Sequence, residues 1–285
     1  MKSQFFFVAA LGTVLLASAA NCPAQSTPPQ EQTSQNLEAK KWLQDGVEAF
    51  KHGQTDAAIA DFARAKELDP ASMNARLYLA TAYSSQYIPG ATSAENTQFG
   101  EKALKEYQDI LATHPNNIGA IDGVGSILFN MANSPFSSDK MEESKSYHRK
   151  HIELAPNDPQ GYYWIGVIDW MIAYQTNRAL RAEWSSAGPK PLADTDPLPE
   201  SVRAQFSAKC VATVQEGTNA LQKAMSLKPD YDDAMAYLNL LYRQKAEMES
   251  SQAARDEDER NADELVEKVK AIKEKKLQEA DQASQ

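Results

Sequence analysis

The sequence predicts an all-α fold, a solenoid of stacked helical hairpins with inserted loops, and three observations support this prediction. Small and large apolar residues follow Trp42 at the spacing of two packed helices. Weaker copies of this pattern recur along the chain, as they do in repeat proteins. Each copy also ends near a proline, which has no N–H and therefore stops a helix. These prolines are Pro70, Pro115, Pro156 and Pro229.

The N-terminus predicts export. A single lysine precedes an apolar run from Phe5 to Ala20 that ends in small residues. Because this run is shorter than the ~20 residues of a membrane-spanning helix, we interpret residues 1–20 as a cleaved signal peptide. Proline, glutamine and serine dominate residues 21–36, which we expect to be a disordered linker. We therefore expect an exported protein that is periplasmic or associated with the outer membrane.

Cys22 lies directly after the predicted signal peptide. The stretch from Leu16 to Cys22 is similar to the lipidation box of bacterial lipoproteins, although Asn21 stands where a smaller residue is usual. Cys22 is therefore a candidate lipid anchor, and cleavage without lipidation is the alternative. The only other cysteine, Cys210, lies in an apolar stretch, and we expect it to be a small buried hydrophobe that does not pair with Cys22.

The first hairpin has the clearest pattern. Small residues allow two antiparallel helices to approach closely, while large residues fill the space beside them. Gly46 is such a residue in the first helix, and we expect it to face Ala58 in the second helix. Just beyond the hairpin, Ser72 is expected to cap the next helix by accepting from its free amides, as are Asn117 and Asp158 later in the chain.

This hairpin resembles a tetratricopeptide repeat, which has a period of about 34 residues and the pattern W-x2-L-G-x2-Y, A-x3-F and P. The resemblance covers about Leu37 to Arg243, with Asp45 standing where leucine is usual. It implies a right-handed α-solenoid of tetratricopeptide-type hairpins, in which the first helices line a concave face that holds an extended peptide or a partner's helix. The matching positions in the first copy are Trp42, Gly46, Ala58, Phe62, Ala65 and Pro70.

Residues 37–245 are predicted to form the repeat domain, with about 4.5 repeats. Successive prolines lie farther apart than the period of ~34 residues, so extra sequence has been inserted between the first and second helices of several hairpins. These insertions fall near residues 84–98, 130–139 and 173–205. They either build a binding edge or are solvent-exposed loops that tolerate changes of length.

Residues 246–285 are predicted to form a charged C-terminal helix. This segment has no glycine or proline and is rich in alanine, glutamate and lysine, which favour helix. Leu265, Val269 and Ile272 recur on one helix face. We expect this face to cover the last repeat, as the caps of solenoids do, and a coiled-coil seam for a partner is the alternative.

The resemblance also implies which residues face a partner. Aligning the copies by their prolines places mostly apolar or aromatic residues on the concave face, and the basic residues that clamp a peptide carboxylate in chaperone-binding members are missing there. We therefore expect a protein or peptide partner with apolar or aromatic anchors. The predicted groove residues are Leu43, Val47, Phe50, Phe129, Tyr163, Val167, Trp170 and Met171.

The sequence predicts neither nucleic-acid binding nor catalysis. With 29 basic and 39 acidic side chains the chain has a net charge of −10, which disfavours nucleic acid and anionic lipid surfaces. No glycine-rich phosphate loop, G-x-S-x-G motif or paired-cysteine metal site occurs, so we expect no catalytic residue, metal or cofactor. His148 and His151 could share a metal, but they occupy packing positions of a second helix and are expected to be a structural pair.

These features predict a non-enzymatic protein-protein interaction scaffold of the bacterial cell envelope, which binds a partner through its groove and insertion edge. One alternative is a lipoprotein subunit of an outer-membrane assembly or pilus machine, attached to the membrane only through Cys22. Another is a carbohydrate-binding or hydrolytic accessory protein that uses the 173–205 insertion, with Trp164, Trp170 and Trp184 as its aromatic platform.

Overall fold

The structure is a computed structural model that describes residues 29–188 and 191–283. In these two ranges the chain forms ten helices and no strand. None of the helices in these ranges is long and apolar enough to cross a membrane. The helices are α1 (Pro29–Lys51), α2 (Thr55–Leu68), α3 (Met73–Gln86), α4 (Ala94–Thr113), α5 (Ile118–Ala132), α6 (Ser138–Leu154), α7 (Pro159–Ala187), α8 (Glu200–Leu227), α9 (Asp232–Met248) and α10 (Gln252–Ala283).

The helices pair in chain order into hairpins, and each second helix also packs against the first helix of the next hairpin. On one side of the array the first helices contact each other, α1 with α3, α3 with α5 and α7 with α9. Among the described residues, the second helices of successive hairpins share no comparable contact. The first helices are therefore closer together than the second helices, which places them on the inner, concave side of the curved array.

The array contains five hairpins in its described part, rather than the predicted 4.5 repeats, because α10 packs along α9 as a second helix. Its inner face buries Ala262 and Leu265, while Val269 and Ile272 are partly buried against the same core cluster. The sequence predicted this helix and its apolar face, but not that it completes a fifth hairpin, because an element with solvent on its other sides needs only a narrow apolar face. Beyond Ile272 the side chains of α10 are mostly exposed.

Local signals set the helix ends as predicted. The hydroxyl of Ser72 accepts from the backbone N–H of Ala75, and the side chains of Asn117 and Asp158 cap α5 and α7 in the same way. These three predicted caps are confirmed. Each of the second helices α2, α4, α6 and α8 ends two residues before a proline, and these prolines are Pro70, Pro115, Pro156 and Pro229.

Gly46 lies at the closest approach of the first two helices. A Cβ atom at Gly46 would lie 2.7 Å from the ring of Phe62, so no larger residue fits without displacing that ring. The predicted neighbour was Ala58, which is also fully buried but lies one turn earlier in α2. The fourth hairpin repeats this arrangement, with Gly166 packed against the side chain of Leu221.

The C-terminal part of the predicted N-terminal linker, residues 29–36, is helical. α1 begins at Pro29, so these residues are not part of a disordered linker. A proline is tolerated in the first turn of a helix, and the glutamine and glutamate residues that follow are good helix formers. Residues 1–28, which include the predicted signal peptide and Cys22, lie outside the described residues.

Most of the predicted 173–205 insertion is helix rather than loop. α7 continues to Ala187 and α8 begins at Glu200, so the extra sequence lengthens both helices of the fourth hairpin. Arg181 fixes the short connection between them by donating to the backbone oxygens of Ala193, at 2.8 Å, and Asp196, at 2.9 Å.

The other two insertions are also partly helical, and their loops are residues 87–93 and 133–137. The side chain of Asn96 holds the first loop through hydrogen bonds to both backbone groups of Ile88. A Cβ atom at Gly90 would lie 3.1 Å from the hydroxyl of Ser134, so the two loops are in contact. Each loop exposes one large apolar side chain, Ile88 in the first and Phe136 in the second. The insertions thus form part of one ordered edge.

A buried ion pair joins the third and fourth hairpins. The ammonium of Lys145 on α6 lies 2.5 Å from Asp169 Oδ1 on α7 and 2.8 Å from Glu216 on α8. Burial raises the pKa of Asp169 to about 7, although Lys145 opposes this shift. Burial acts to lower the pKa of Lys145, but the surrounding carboxylates outweigh burial and raise it. The lysine therefore stays charged in the interior.

Candidate binding surface

A row of contacting aromatic rings lies on the first helices of the third, fourth and fifth hairpins, the elements that line the concave side. On α7, Tyr163, Trp170 and Tyr174 have the helical spacing of one stripe, and Trp164 lies beside that stripe. We call this row the aromatic surface. It consists of Phe129 on α5, Tyr163, Trp164, Trp170 and Tyr174 on α7, and Tyr231 and Tyr237 at the start of α9.

Tyr163 is the centre of this surface. Its ring stacks on that of Tyr231, with the ring centroids 5.2 Å apart. Its ring also makes edge-to-face contacts with Tyr237, at 5.8 Å, and with Trp164, at 5.6 Å. These distances and angles are those of favourable aromatic pairs, so the rings hold each other in fixed positions.

The ring contacts continue in both directions from Tyr163. Trp164 meets Phe129 edge to face at 5.5 Å, which connects α7 to α5. Trp170 meets Tyr237 edge to face at 5.3 Å and stacks on Tyr174 at 5.4 Å. The surface therefore spans three hairpins without an aliphatic residue interrupting the chain of ring contacts.

The rings of the aromatic surface are half-buried, so they pack against the fold and also contact solvent. Within the described part of the chain, the hydroxyls of Tyr163, Tyr231 and Tyr237 form no hydrogen bond. Their oxygen atoms are not among the buried polar atoms that lack a partner. They therefore face solvent. Burial of the rings raises the pKa of Tyr163, and it raises that of Tyr231 to about 12. The hydroxyls are thus neutral hydrogen-bond donors at physiological pH.

Three of the predicted groove residues, Phe129, Tyr163 and Trp170, meet on this surface. Val167 does not, because its side chain is only 2% exposed and belongs to the core of the fourth hairpin. It is corrected from a groove residue to a core residue. Met171 is half-buried and packs beside Phe129 in the core cluster between the third and fourth hairpins.

The predicted groove residues of the first hairpin lie apart from the aromatic surface. Leu43, Val47 and Phe50 are on α1, three hairpins before α7. All three are half-buried against the cluster that contains Phe62 and Leu79. Their packing within the first two hairpins accounts for their apolar character, and nothing in the structure connects them to the aromatic rings of α7.

Sequence reasoning missed four members of the surface, of which Tyr231 and Tyr237 belong to the fifth hairpin. On α9 the apolar residues Met235 and Leu238 are both buried in the core. Tyr237 lies between them in sequence and therefore points to another face of α9. The different face of Tyr237 could have been read from the sequence, whereas the ring contacts between α7 and α9 could not.

Three charged groups lie beside the aromatic surface. The guanidinium of Arg178 is 5.7 Å from the ring centroid of Tyr174. The ammonium of Lys228 is 4.6 Å from the ring centroid of Tyr231, which is a cation–π contact within the chain. Asp233 is exposed. Burial of the rings is the main cause of the raised pKa of Tyr231 and Tyr237, and the Asp233 carboxylate is the second cause. The surface therefore has aromatic faces and an adjacent negative charge.

The histidine pair lies behind this surface. His148 and His151 are both buried, with His148 stacked on Trp164 at 5.3 Å and His151 Nδ1 2.7 Å from Asp122 Oδ1. Burial lowers the pKa of His148, which keeps its ring neutral. Within the described residues no group of three histidine, cysteine, aspartate or glutamate side chains could hold a metal ion. Cys210 is a free, buried cysteine, as predicted, and burial raises the pKa of its thiol.

Trp184 takes no part in the aromatic surface. It lies near the end of α7, is 40% exposed, and is absent from the ring contacts that join Trp164 and Trp170. The three tryptophans proposed as a carbohydrate platform are therefore not one platform. Trp164 and Trp170 both belong to the aromatic surface, and the ring of Trp164 also stacks on the buried His148 ring, whereas Trp184 lies apart from both.

Comparison with solved structures identifies the fold. The crystal structure of MamA protein is 16% identical, with a TM-score of 0.50 over 85% of this chain and 94% of that chain. The MamA 41-end structure from Desulfovibrio magneticus RS-1 is 14% identical, with a TM-score of 0.51 over 84% of this chain and 96% of that chain. YrrB, described as a TPR protein with an unusual peptide-binding site, is 14% identical with a TM-score of 0.47 over 85% and 91% of the two chains.

No protein-family model matches the chain, and no curated protein matches it. At these identities the similarity to solved structures concerns the fold alone. The predicted fold class is confirmed, because the described part of the chain is an all-α array of helical hairpins with the architecture of tetratricopeptide-type solenoids.

Proposed function

We propose that this chain is an exported, non-enzymatic scaffold of the bacterial cell envelope that binds an extended segment of another protein on its aromatic surface. The observation that carries this proposal is the unbroken chain of ring contacts from Phe129 to Tyr174 on the concave side of the array. Half-exposed aromatic residues in a contiguous patch are unfavourable in water and are typical of interaction sites.

The shape of the site favours an extended segment over a small molecule. The rings come from three successive hairpins, so a ligand that covers all of them must be longer than one side chain. Tyrosine and tryptophan offer large rigid contact areas with little loss of conformational entropy on binding. The free tyrosine hydroxyls can donate hydrogen bonds to backbone carbonyls of such a segment.

Affinity capture tests this function. The immobilised mature protein would be mixed with solubilised envelope from the native cell, and the retained proteins would be identified by mass spectrometry. We expect a protein that is retained by wild type and lost from Trp170→Ala. Trp184→Ala is the matched control, because Trp184 is more exposed but takes no part in the aromatic surface. A protein retained equally by both variants would contradict the proposed site.

Export rests on residues 1–20, and we propose that the mature chain begins at about residue 20 to 24. Intact-mass measurement of the protein from its native cell tests this, and a mass that includes Met1 would contradict it. If Cys22 carries a lipid, Cys22→Ser would move the protein from the membrane to the soluble fraction. Unchanged partitioning would rule out the lipoprotein alternative.

A further inference from the structure

The acidic residues at the start of α9 differ in how they are neutralised. Asp232 accepts from the ammonium of Lys276 on α10 at 2.8 Å. Asp233, the next residue, is exposed, and its side chain forms no ion pair or hydrogen bond with any residue that the structure describes. The N-terminus of a helix stabilises a nearby carboxylate, which accounts for the acidic residues in this turn. Asp232 and, more weakly, Asp233 raise the pKa of Lys276, but only Asp232 forms an ion pair with that ammonium.

The position of Asp233 ties it to the aromatic surface. Asp233 and Tyr237 are four residues apart on α9, so they lie on the same face of that helix. Tyr237 in turn contacts Tyr163 and Trp170. Burial is the main cause of the raised pKa of Tyr237, and Asp233 is the second cause. Asp233 also contributes to the raised pKa of Tyr163. An unpaired negative charge thus stands next to several half-exposed ring faces.

The same region already binds a cation from within the chain. The ammonium of Lys228 lies 4.6 Å from the ring centroid of Tyr231, whose ring also stacks on Tyr163. A second cation of the chain, the guanidinium of Arg178, lies 5.7 Å from the ring centroid of Tyr174. Two of the neighbouring carboxylates have partners. Asp232 pairs with Lys276, and the side chain of Asp158 caps α7 by accepting from Gln160. Within the described part of the chain no cation lies over the ring of Tyr237 or Trp170, and no cation lies within ion-pair distance of Asp233.

We propose that the aromatic surface recognises an arginine side chain in an extended segment of the partner, with the guanidinium stacked on the rings around Tyr237 and paired with Asp233. This inference rests on the proposed function and specifies its ligand chemistry. A guanidinium is planar, stacks on aromatic faces and pairs with a carboxylate through two parallel N–H donors, which an ammonium cannot do. The net charge of −10 of the chain also attracts a basic partner at long range.

Three fluorescein-labelled peptides test this proposal. They share the sequence Gly-Ser-Leu-X-Leu-Ser-Gly and differ only at X, which is arginine, citrulline or glutamate. Citrulline has the shape of arginine without its charge. We expect the arginine peptide to bind about tenfold more tightly than the citrulline peptide by fluorescence anisotropy, with the glutamate peptide weakest. The preference for arginine over citrulline should weaken as salt is added, because part of the attraction is between exposed charges.

Two matched variants assign the effect to Asp233. Asp233→Asn should remove the preference for arginine over citrulline, while Asp230→Asn, an exposed residue in the same turn, should retain it. Equal binding of the arginine and citrulline peptides to wild type, or no binding of any of the peptides, would overturn the inference. So would an unchanged preference in Asp233→Asn. The proposed function would stand in each of these cases if the captured partner still depended on Trp170.

Discussion

Arg181 on α7 and Glu247 on α9 form a bidentate ion pair in which one guanidinium nitrogen, Nη2, donates to both carboxylate oxygens at 2.9 Å. Arg181 is buried and also donates to Asn177 Oδ1 at 2.8 Å. With its two bonds to the 188–199 connection, this one side chain joins the long fourth hairpin, its loop and the fifth hairpin. The extended helices of the fourth hairpin are therefore a braced part of the solenoid.

Arg181→Ala should destabilise the protein by about 3 kcal/mol, because it leaves the half-buried carboxylate of Glu247 and two loop carbonyls without their donor. Burial already raises the pKa of Glu247, and Arg181 opposes that shift. Urea unfolding gives the free energy, and limited proteolysis should show faster cleavage within residues 188–199. Arg178→Ala is the control, since Arg178 is exposed on the same helix, and its cost should stay below about 1 kcal/mol. Equal costs for the two variants would contradict the bracing role.

The buried pair of Lys145 and Asp169 allows a second stability test. Lys145→Met should cost about 3 kcal/mol, because Asp169 stays buried without its counter-ion. Adding Asp169→Leu, which has a similar shape, should restore most of that loss, because neither partner then remains unpaired. Denaturant unfolding of both variants measures the difference. A double variant that is less stable than Lys145→Met would contradict this expectation. It would mean that the ion pair contributes more to the free energy of unfolding than the desolvation of its charges permits.

His148 should make the fold sensitive to mild acid. Burial lowers the folded pKa of His148 below its ordinary value of 6.5, so in acid the unfolded chain binds a proton that the folded chain does not. Stability is then lost as the pH falls below 6.5. Asp169 acts in the opposite direction, because its folded pKa of about 7 lets the folded state take up a proton first.

The contribution of His148 is isolated by comparison with His148→Phe, which keeps a ring stacked on Trp164 and leaves Asp169 in place. As the pH falls from about 7 to about 5, wild type should lose stability relative to the variant. Thermal melts across this range, at constant ionic strength, measure the difference. Parallel pH profiles for the two proteins would show that His148 is not held neutral by the fold.

Two glycines of different surroundings test the packing of the hairpins. Gly46→Ala should destabilise the fold by roughly 1 to 3 kcal/mol, because the new methyl group would meet the Phe62 ring at 2.7 Å. At Gly119 on α5 the nearest side-chain atoms lie at 3.5 Å or more. Gly119→Ala should therefore stabilise the helix by about 0.5 to 1 kcal/mol through its higher propensity. Equal melting temperatures for the two variants would contradict the described register of the first hairpin.

The parts of the fold that follow from neighbouring residues were readable in the sequence. Pro70 and Ser72 mark the end of one helix and the start of the next within three residues, and no distant contact is needed to interpret them. The contacts of Lys145 with Asp169 and of Arg181 with Glu247 join residues 24 and 66 positions apart. Nothing local distinguishes these charged residues from exposed ones, so sequence reasoning did not identify them.

The candidate site was only partly predictable for a similar reason. Tyr163 and Trp170 lie on the stripe of α7 that faces α9 and solvent, while Val167, between them, is buried. α7 packs against α6, α8 and α9 at once, so little of its circumference is left for a partner, and a small error in helix phase moves a residue into the core. The correct face could be chosen only once the neighbours of α7 were known.

The most direct test of the aromatic surface as a binding site is to measure partner affinity and thermal stability together for Trp170→Ala. Calorimetric titration with the captured partner should show a loss of about 2 kcal/mol or more in binding free energy, because Trp170 is a half-exposed ring that contacts both Tyr237 and Tyr174 of the surface. The melting temperature should change little, and Trp184→Ala should change neither quantity. Unchanged affinity, or a stability loss of roughly 3 to 5 kcal/mol that accounts for the weaker binding, would instead identify Trp170 as a core residue and contradict the proposed site.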